Sequence, residues 1–86
     1  MASYRIIWKN SAEKDLKGID RQHIPRILEV TESLGDDPFP FQYRKLIGGE
    51  GSYRVRVGDY RIIYQVDVEG KVVEIFHVHH RKDVYR

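Results

Sequence analysis

Arg54, Arg56 and Arg61 lie in the stretch YRVRVGDYRIIYQV, residues 53–66, whose alternation and central Gly58-Asp59 suit a two-residue type II′ hairpin loop. Such a loop pairs Val57 with Tyr60, Arg56 with Arg61, Val55 with Ile62 and Arg54 with Ile63. Alternation then puts Tyr53, Val55, Val57, Tyr60, Ile62, Tyr64 and Val66 on one face and the arginines on the other. Like charges directly opposite in a sheet destabilise it, commonly by a fraction of a kcal/mol. A polar outer face is ordinary for an antiparallel sheet, but such faces usually mix signs, and the sole carboxylate in this stretch is Asp59, in the turn. Guanidinium forks held on a rigid sheet form a receptor for phosphate. The expected ligand is a phosphodiester backbone.

The stretch FHVHHRKDVYR adds His77, His79, His80, Arg81, Lys82 and Tyr85. Without cysteine or a convergent carboxylate, these histidines do not compose a metal site. His77 and His79, two apart on a strand, share a face that the second turn decides. A tight loop puts them on the core side, and one extra loop residue puts them beside Arg61. His77 reads as a half-buried, hydrogen-bonded histidine, while His79 and Arg81 are candidates for the arginine site. Tyr85 is either a packing residue or a phenol that stacks on a base. Arg44, Lys45 and Lys82 widen the basic surface or serve solubility. The glycines of LIGGEGSY lack the following helix and Lys-Ser/Thr of a P-loop, so they read as a flexible entry to the sheet.

The elements that must position these groups follow in order. SYRIIW, residues 3–8, is β-rich and forms a first strand. Asn10 and Glu13 make a capping-box variant that opens a helix through Ala12, Leu16 and Ile19, broken at Gly18. Asp20 caps a second helix with Pro25 in its first turn and Ile24, Ile27, Leu28, Thr31 and Leu34 at helical spacing, ending at Gly35. Prolines and glycines mark residues 35–52 as a connector, pinned by Phe39, Phe41, Leu46 and Ile47. Strands Ser52–Val57, Tyr60–Asp67 and Val72–His79 follow, with the second turn at Glu69-Gly70. The sum is an α+β fold: an antiparallel sheet of about four strands with an N-terminal helical hairpin on one face.

With 86 residues, the chain suffices for one domain, 1–86. It has no cysteine, hence no disulfide, and no apolar run of membrane-spanning length or signal-peptide character, so a cytoplasmic protein without membrane contact is expected. Its net charge is +2. Residues 1–43 carry six Lys/Arg against seven Asp/Glu, and residues 44–86 nine against six, so the basic excess falls on the sheet half.

The order LxxGxGSYRVRVGDYRIIYQV followed by VHHRKDVY resembles the RelE/ParE superfamily of toxins of type II toxin–antitoxin systems, on the RelE side, over nearly the whole chain. The resemblance implies a ribosome-dependent endoribonuclease that cuts mRNA in the A site without metal or other cofactor. It matches Arg54 and Arg56 to basic residues of the catalytic strand, Arg61 and Arg81 to arginines on the scissile phosphate, and Tyr85 to a tyrosine stacked on the base. The implied reaction is attack of a ribose 2′-OH on its own 3′-phosphate, leaving a 2′,3′-cyclic phosphate and a 5′-OH. Arginine stands here where lysine can occur in the family, and guanidinium is a poor proton acceptor. His79 or His80, or the ribosome, is then expected to share the proton work. The resemblance further implies a RelB-like antitoxin as partner, and operator DNA bound only through the antitoxin complex. Two rival readings are a ParE-like inhibitor of DNA gyrase and a non-catalytic RNA-binding module.

Overall fold

The computed structural model describes residues 3–41, 43–45 and 51–84. β1 (Arg5–Trp8) leads into helix α1 (Asn10–Lys17). A 3₁₀ turn (Arg21–His23) precedes α2 (Ile24–Asp36), and β2 (Arg44–Lys45) follows. Then come β3 (Ser52–Val57), β4 (Tyr60–Asp67), β5 (Val72–His80) and a single turn, α3 (Arg81–Val84). The sheet order is β1-β5-β4-β3-β2.

The fold is α+β as expected, with one strand added to the sheet and the first strand paired in parallel. β2 lies inside the connector and pairs with β3, Arg44 opposite Arg54 and Lys45 opposite Tyr53. β1 pairs with β5 in parallel, Arg5 opposite Val72 through Trp8 opposite Ile75, so the sheet is mixed. Neither pairing has a local signature. One strand is two residues long, and the other partner is far along the chain.

The start of α1 is set by that parallel pairing. Asn10 was expected to cap the helix with Glu13, yet it lies in the first turn and the capping position is Lys9, which makes no side-chain cap. Lys9 is still tied to β5, its N–H donating to the Ile75 carbonyl at 2.9 Å. Its own carbonyl then accepts from the Ala12 and Glu13 amides, both at 3.0 Å. A tertiary bond has displaced the local capping preference. Asp20 does cap as expected, accepting from the Gln22 amide at 3.1 Å, but the element it opens is the 3₁₀ turn.

Pro25 sits in the first turn of α2, where no intrahelical donor is needed. Ile27, Thr31 and Leu34 face inward, and the Thr31 hydroxyl donates to the Ile27 carbonyl at 2.8 Å, which satisfies it in the core. Leu28 turns outward and is 38% exposed. Gly35 does not stop the helix, which runs on to Asp36. It permits contact with β1: the Tyr4 amide donates to the Gly35 carbonyl at 2.7 Å, and a Cβ at position 35 would sit 3.0 Å from the Tyr4 oxygen.

The core joins Ala12, Ile27 and Leu34 of the helices to Val55, Val57, Ile62, Tyr64, Val73, Ile75 and Val78 of the sheet, with Trp8 partly buried against it. Phe39 anchors the connector by edge-on contacts with Tyr43 and Tyr53, at centroid distances of 5.5 and 5.3 Å. Phe41 does not join it and is fully exposed. Leu46 and Ile47 lie outside the described residues. A second anchor holds the connector from below: the buried Tyr64 hydroxyl donates to the Pro38 carbonyl at 2.7 Å. Burial pushes that hydroxyl well above the usual phenol range, so it remains a donor.

Tyr64→Phe leaves the Pro38 carbonyl buried without its donor and is expected to cost about 1–2 kcal/mol. Thermal denaturation followed by circular dichroism should show a midpoint lowered by roughly 4–8 °C per kcal/mol. An unchanged midpoint would show that the connector does not depend on this bond.

Candidate active site

The hairpin has the expected register, Val57 opposite Tyr60 and Arg56 opposite Arg61. Gly58 takes a positive φ of 59° and Asp59 does not, the pattern of a II′ turn. β2 extends the arginine face, since Arg44 opposes Arg54, and Arg44, Arg54, Arg56 and Arg61 line a shallow cleft of about 290 Å³. No carboxylate is among its described lining residues. Arg56 donates through Nε to the Gly58 carbonyl at 3.0 Å, and Arg44 through Nη1 to the Tyr43 carbonyl at 2.8 Å. These bonds orient the two guanidinium groups without neutralising them.

The histidines reach this face by a route other than the loop. From Asp67 opposite Val72 to Tyr64 opposite Ile75 the pairing is that of a tight turn. Continued unbroken, it would bring His77 opposite Ile62 and His79 opposite Tyr60, on the core side. A β-bulge intervenes: Ile63 pairs with His77, and Phe76 is the extra residue. Ile75 and Val78 therefore both point into the core, while His77 opposes Ile63 and His79 opposes Arg61. One row across the sheet reads Arg56, Arg61, His79, and the next reads Arg44, Arg54, Ile63, His77.

Helix α1 continues along the edge of β5 beyond β1 and holds the bulge in place. The Ser11 hydroxyl donates to the Phe76 carbonyl at 2.5 Å, and the Val78 amide donates to Asp15 Oδ2 at 3.0 Å. The same Asp15 oxygen lies 3.0 Å from His77 Nδ1 and 4.0 Å from His79 Nε2, and the two imidazole centroids are 4.6 Å apart. His77 is thus the half-buried, hydrogen-bonded histidine expected. The convergent carboxylate missing from the sequence reading is Asp15. It lies on α1 between Lys14 and Leu16, and only knowledge of where α1 docks could single it out. Ligand atoms of Asp15, His77 and His79 all fall within 4.8 Å of one another, so these three could hold a cation.

Other expected residues divide. Arg81 sits at the hairpin tip, its amide donating to the Asp59 carbonyl at 2.7 Å and its Nε 3.9 Å from Asp59 Oδ1. Both side chains are more than half exposed, and such a pair contributes at most about 1 kcal/mol. The turn carboxylate therefore faces Arg81. Lys45 opposes Tyr53 and so shares the aromatic face, away from Arg44 and Arg54. His80 opposes Tyr60 on the core side, with ring centroids 5.1 Å apart, which removes it from the arginine row. Lys82 is exposed, and its amide donates to His80 Nδ1 at 3.2 Å. Tyr85 lies outside the described residues.

The profile of the family described as "ParE toxin of type II toxin-antitoxin system, parDE" matches residues 6–85. Toxin RelG of Mycobacterium tuberculosis is 30% identical over 86 residues, covering 96% of this chain and 97% of the relative. Toxin RelE3 of Methanocaldococcus jannaschii is 32% identical over 87 residues, covering 94% of each. In structure, a chain of the RelBE2 toxin–antitoxin complex of M. tuberculosis superposes with a TM-score of 0.83 at 27% identity, over 94% of both chains. A chain of the RelE–RelB complex of Pyrococcus horikoshii gives 0.79 at 34% identity, over 92% of this chain and 96% of that one. The chain belongs to the RelE/ParE superfamily of toxins of type II toxin–antitoxin systems, with RelE-family proteins among its relatives.

Proposed function

We propose that this toxin is a ribosome-dependent endoribonuclease that cleaves mRNA in the A site. The observation that carries this reading is the row Arg56, Arg61, His79 across β3, β4 and β5, beside a cleft lined by arginine. In the proposed step the 2′-oxygen forms a bond to phosphorus and the bond to the 5′-oxygen breaks. The 2′-OH proton leaves to a base, and the departing oxygen gains a proton. Arg56 and Arg61 stabilise the charge that builds on the phosphorane oxygens. Arg54 and Arg44 hold the adjoining backbone, and Arg81 approaches from the hairpin tip. Imidazole exchanges protons near neutral pH, as guanidinium does not, so His79 is the group of this row suited to accept the 2′-OH proton. Tyr85 is proposed to stack on the base.

Chemistry resting on charge stabilisation with a single imidazole gives little turnover of free RNA, because the substrate must arrive already aligned. The A site is proposed to supply that alignment, in the cytoplasm. Among the described residues, no helix is long and apolar enough to cross a membrane. A RelB-like antitoxin is the proposed protein partner, since the solved relatives include RelE–RelB complexes. Operator DNA would be bound only through that antitoxin.

Primer extension on a translated message should show codon-phased cuts when the toxin is present. Arg61→Ala and Arg81→Ala should each lower cleavage by about 10²–10³-fold, and His79→Gln by roughly 10²–10⁴-fold, with thermal midpoints close to the parent. Intact messages beside stabilised gyrase–DNA cleavage complexes would instead support inhibition of gyrase. Intact messages and intact DNA would leave a binding module.

Binding of a single-stranded RNA oligonucleotide, followed by fluorescence anisotropy across salt concentrations, tests the face assignment. Arg54→Ala and Arg56→Ala should each reduce the log–log salt slope by about 0.7. Lys45→Ala, on the opposite face, should leave it nearly unchanged. Equal effects of all three would contradict a receptor confined to the arginine face.

A further inference from the structure

Asp15, His77 and His79 do more than orient one another. One carboxylate oxygen and two imidazole nitrogens, from α1 and β5, lie within 4.8 Å of one another. Tetrahedral zinc takes His nitrogen at about 2.0–2.1 Å and carboxylate oxygen at about 2.0–2.2 Å, which sets ligand atoms roughly 3.3–3.5 Å apart. Asp15 Oδ2 stands 3.0 Å from His77 Nδ1 and 4.0 Å from His79 Nε2, within about half an ångström of that spacing. Side-chain rotation would bring the three atoms, which lie within 4.8 Å of one another, to that spacing. The Val78 amide donates to the same Oδ2 at 3.0 Å, which holds that oxygen beside the two imidazoles. Access is open, because Asp15 and His79 also line a surface groove with Lys14, Gly18, Ile19, Tyr60, Val78 and His80.

We propose that Asp15, His77 and His79 form a site for a divalent cation of the zinc type, and that its occupation switches the nuclease off. A metal on His79 Nε2 takes the lone pair with which that imidazole would accept the 2′-OH proton. This inhibitory part rests on the role given to His79 above. The metal is a regulator, and cleavage itself needs none. Arg61, opposite His79, and Lys14, beside the groove, oppose a dication, so affinity falls well short of a structural zinc site. Two His and one carboxylate leave the fourth position to water.

Calorimetric titration of the full chain with Zn²⁺, and with Co²⁺ read by its visible absorption, tests the site without any activity. One equivalent should bind, with affinity reduced at least tenfold in each of Asp15→Asn, His77→Gln and His79→Gln. His23→Gln and His80→Gln should bind as the parent does. Circular dichroism of each variant separates loss of a ligand from loss of the fold. Absence of stoichiometric binding, or binding that survives in Asp15→Asn and His77→Gln but is lost in His80→Gln, overturns the site. In a translating extract, Zn²⁺ should suppress cleavage by the parent and a chelator should restore it. Cleavage indifferent to Zn²⁺ at saturating occupancy overturns the inhibitory role. Should the parent cut no message under any condition, the nuclease reading fails and the calorimetry alone decides the metal site.

Discussion

Strand β5 carries one residue more than β4 between Ile75 and His77, and the placement of every imidazole near the arginine face depends on that surplus. On its N-terminal side, alternation sends Val73 and Ile75 into the core. On its C-terminal side, it sends Val78 inward and His77 and His79 outward. Without the extra residue at Phe76, the same strand would turn both imidazoles to the core side and Val78 to the arginine face. The bulge is held from outside the sheet, by the Ser11 hydroxyl on the Phe76 carbonyl and by Asp15 on the Val78 amide. Helix α1 thus substitutes for a neighbouring strand along part of β5. Its start, fixed by Lys9 bonding to Ile75, is in turn a consequence of the parallel pairing of β1.

The electrostatics follow from the same geometry. The face turned to the helices receives Val55, Val57, Ile62 and Tyr64, so the alternate residues have only the open face. There they gather four arginines, of which Arg44 and Arg56 donate to backbone carbonyls. Like charges facing across a ladder weaken it slightly. An anion laid across the row removes that repulsion and gains charge-assisted hydrogen bonds. No carboxylate is among the described residues that line the cleft, and Asp59 is turned to Arg81 at the tip.

What could be read from the sequence was whatever a short period controls. The hairpin, its II′ turn and the two faces of β3 and β4 follow from alternation and from Gly58, and they stand where alternation puts them. The helices were legible from the spacing of Ile27, Thr31 and Leu34 and from Pro25. The misses share a cause, which is dependence on distant chain. Asn10 looks like a cap until Lys9 is held by β5, and Gly35 looks like a stop until Tyr4 packs against it. β2 has two residues and no period of its own. A bulge is one inserted residue with no compositional mark, so the face of His77 and His79 stayed open in the sequence. Asp15 was missed for the same reason, since nothing around it in α1 announces a partner more than sixty residues away.

The central claim is that an arginine-lined face with one imidazole promotes attack by the neighbouring 2′-oxygen of RNA. The most direct measurement uses a translated message carrying a single 2′-deoxynucleotide at the cut position, with the ends of the normal product analysed alongside. The account predicts a 2′,3′-cyclic phosphate and a 5′-OH on the unmodified message, and no cut at the deoxy position. Cleavage that persists at the deoxy nucleotide, or ends bearing a 5′-phosphate and a 3′-OH, would contradict it.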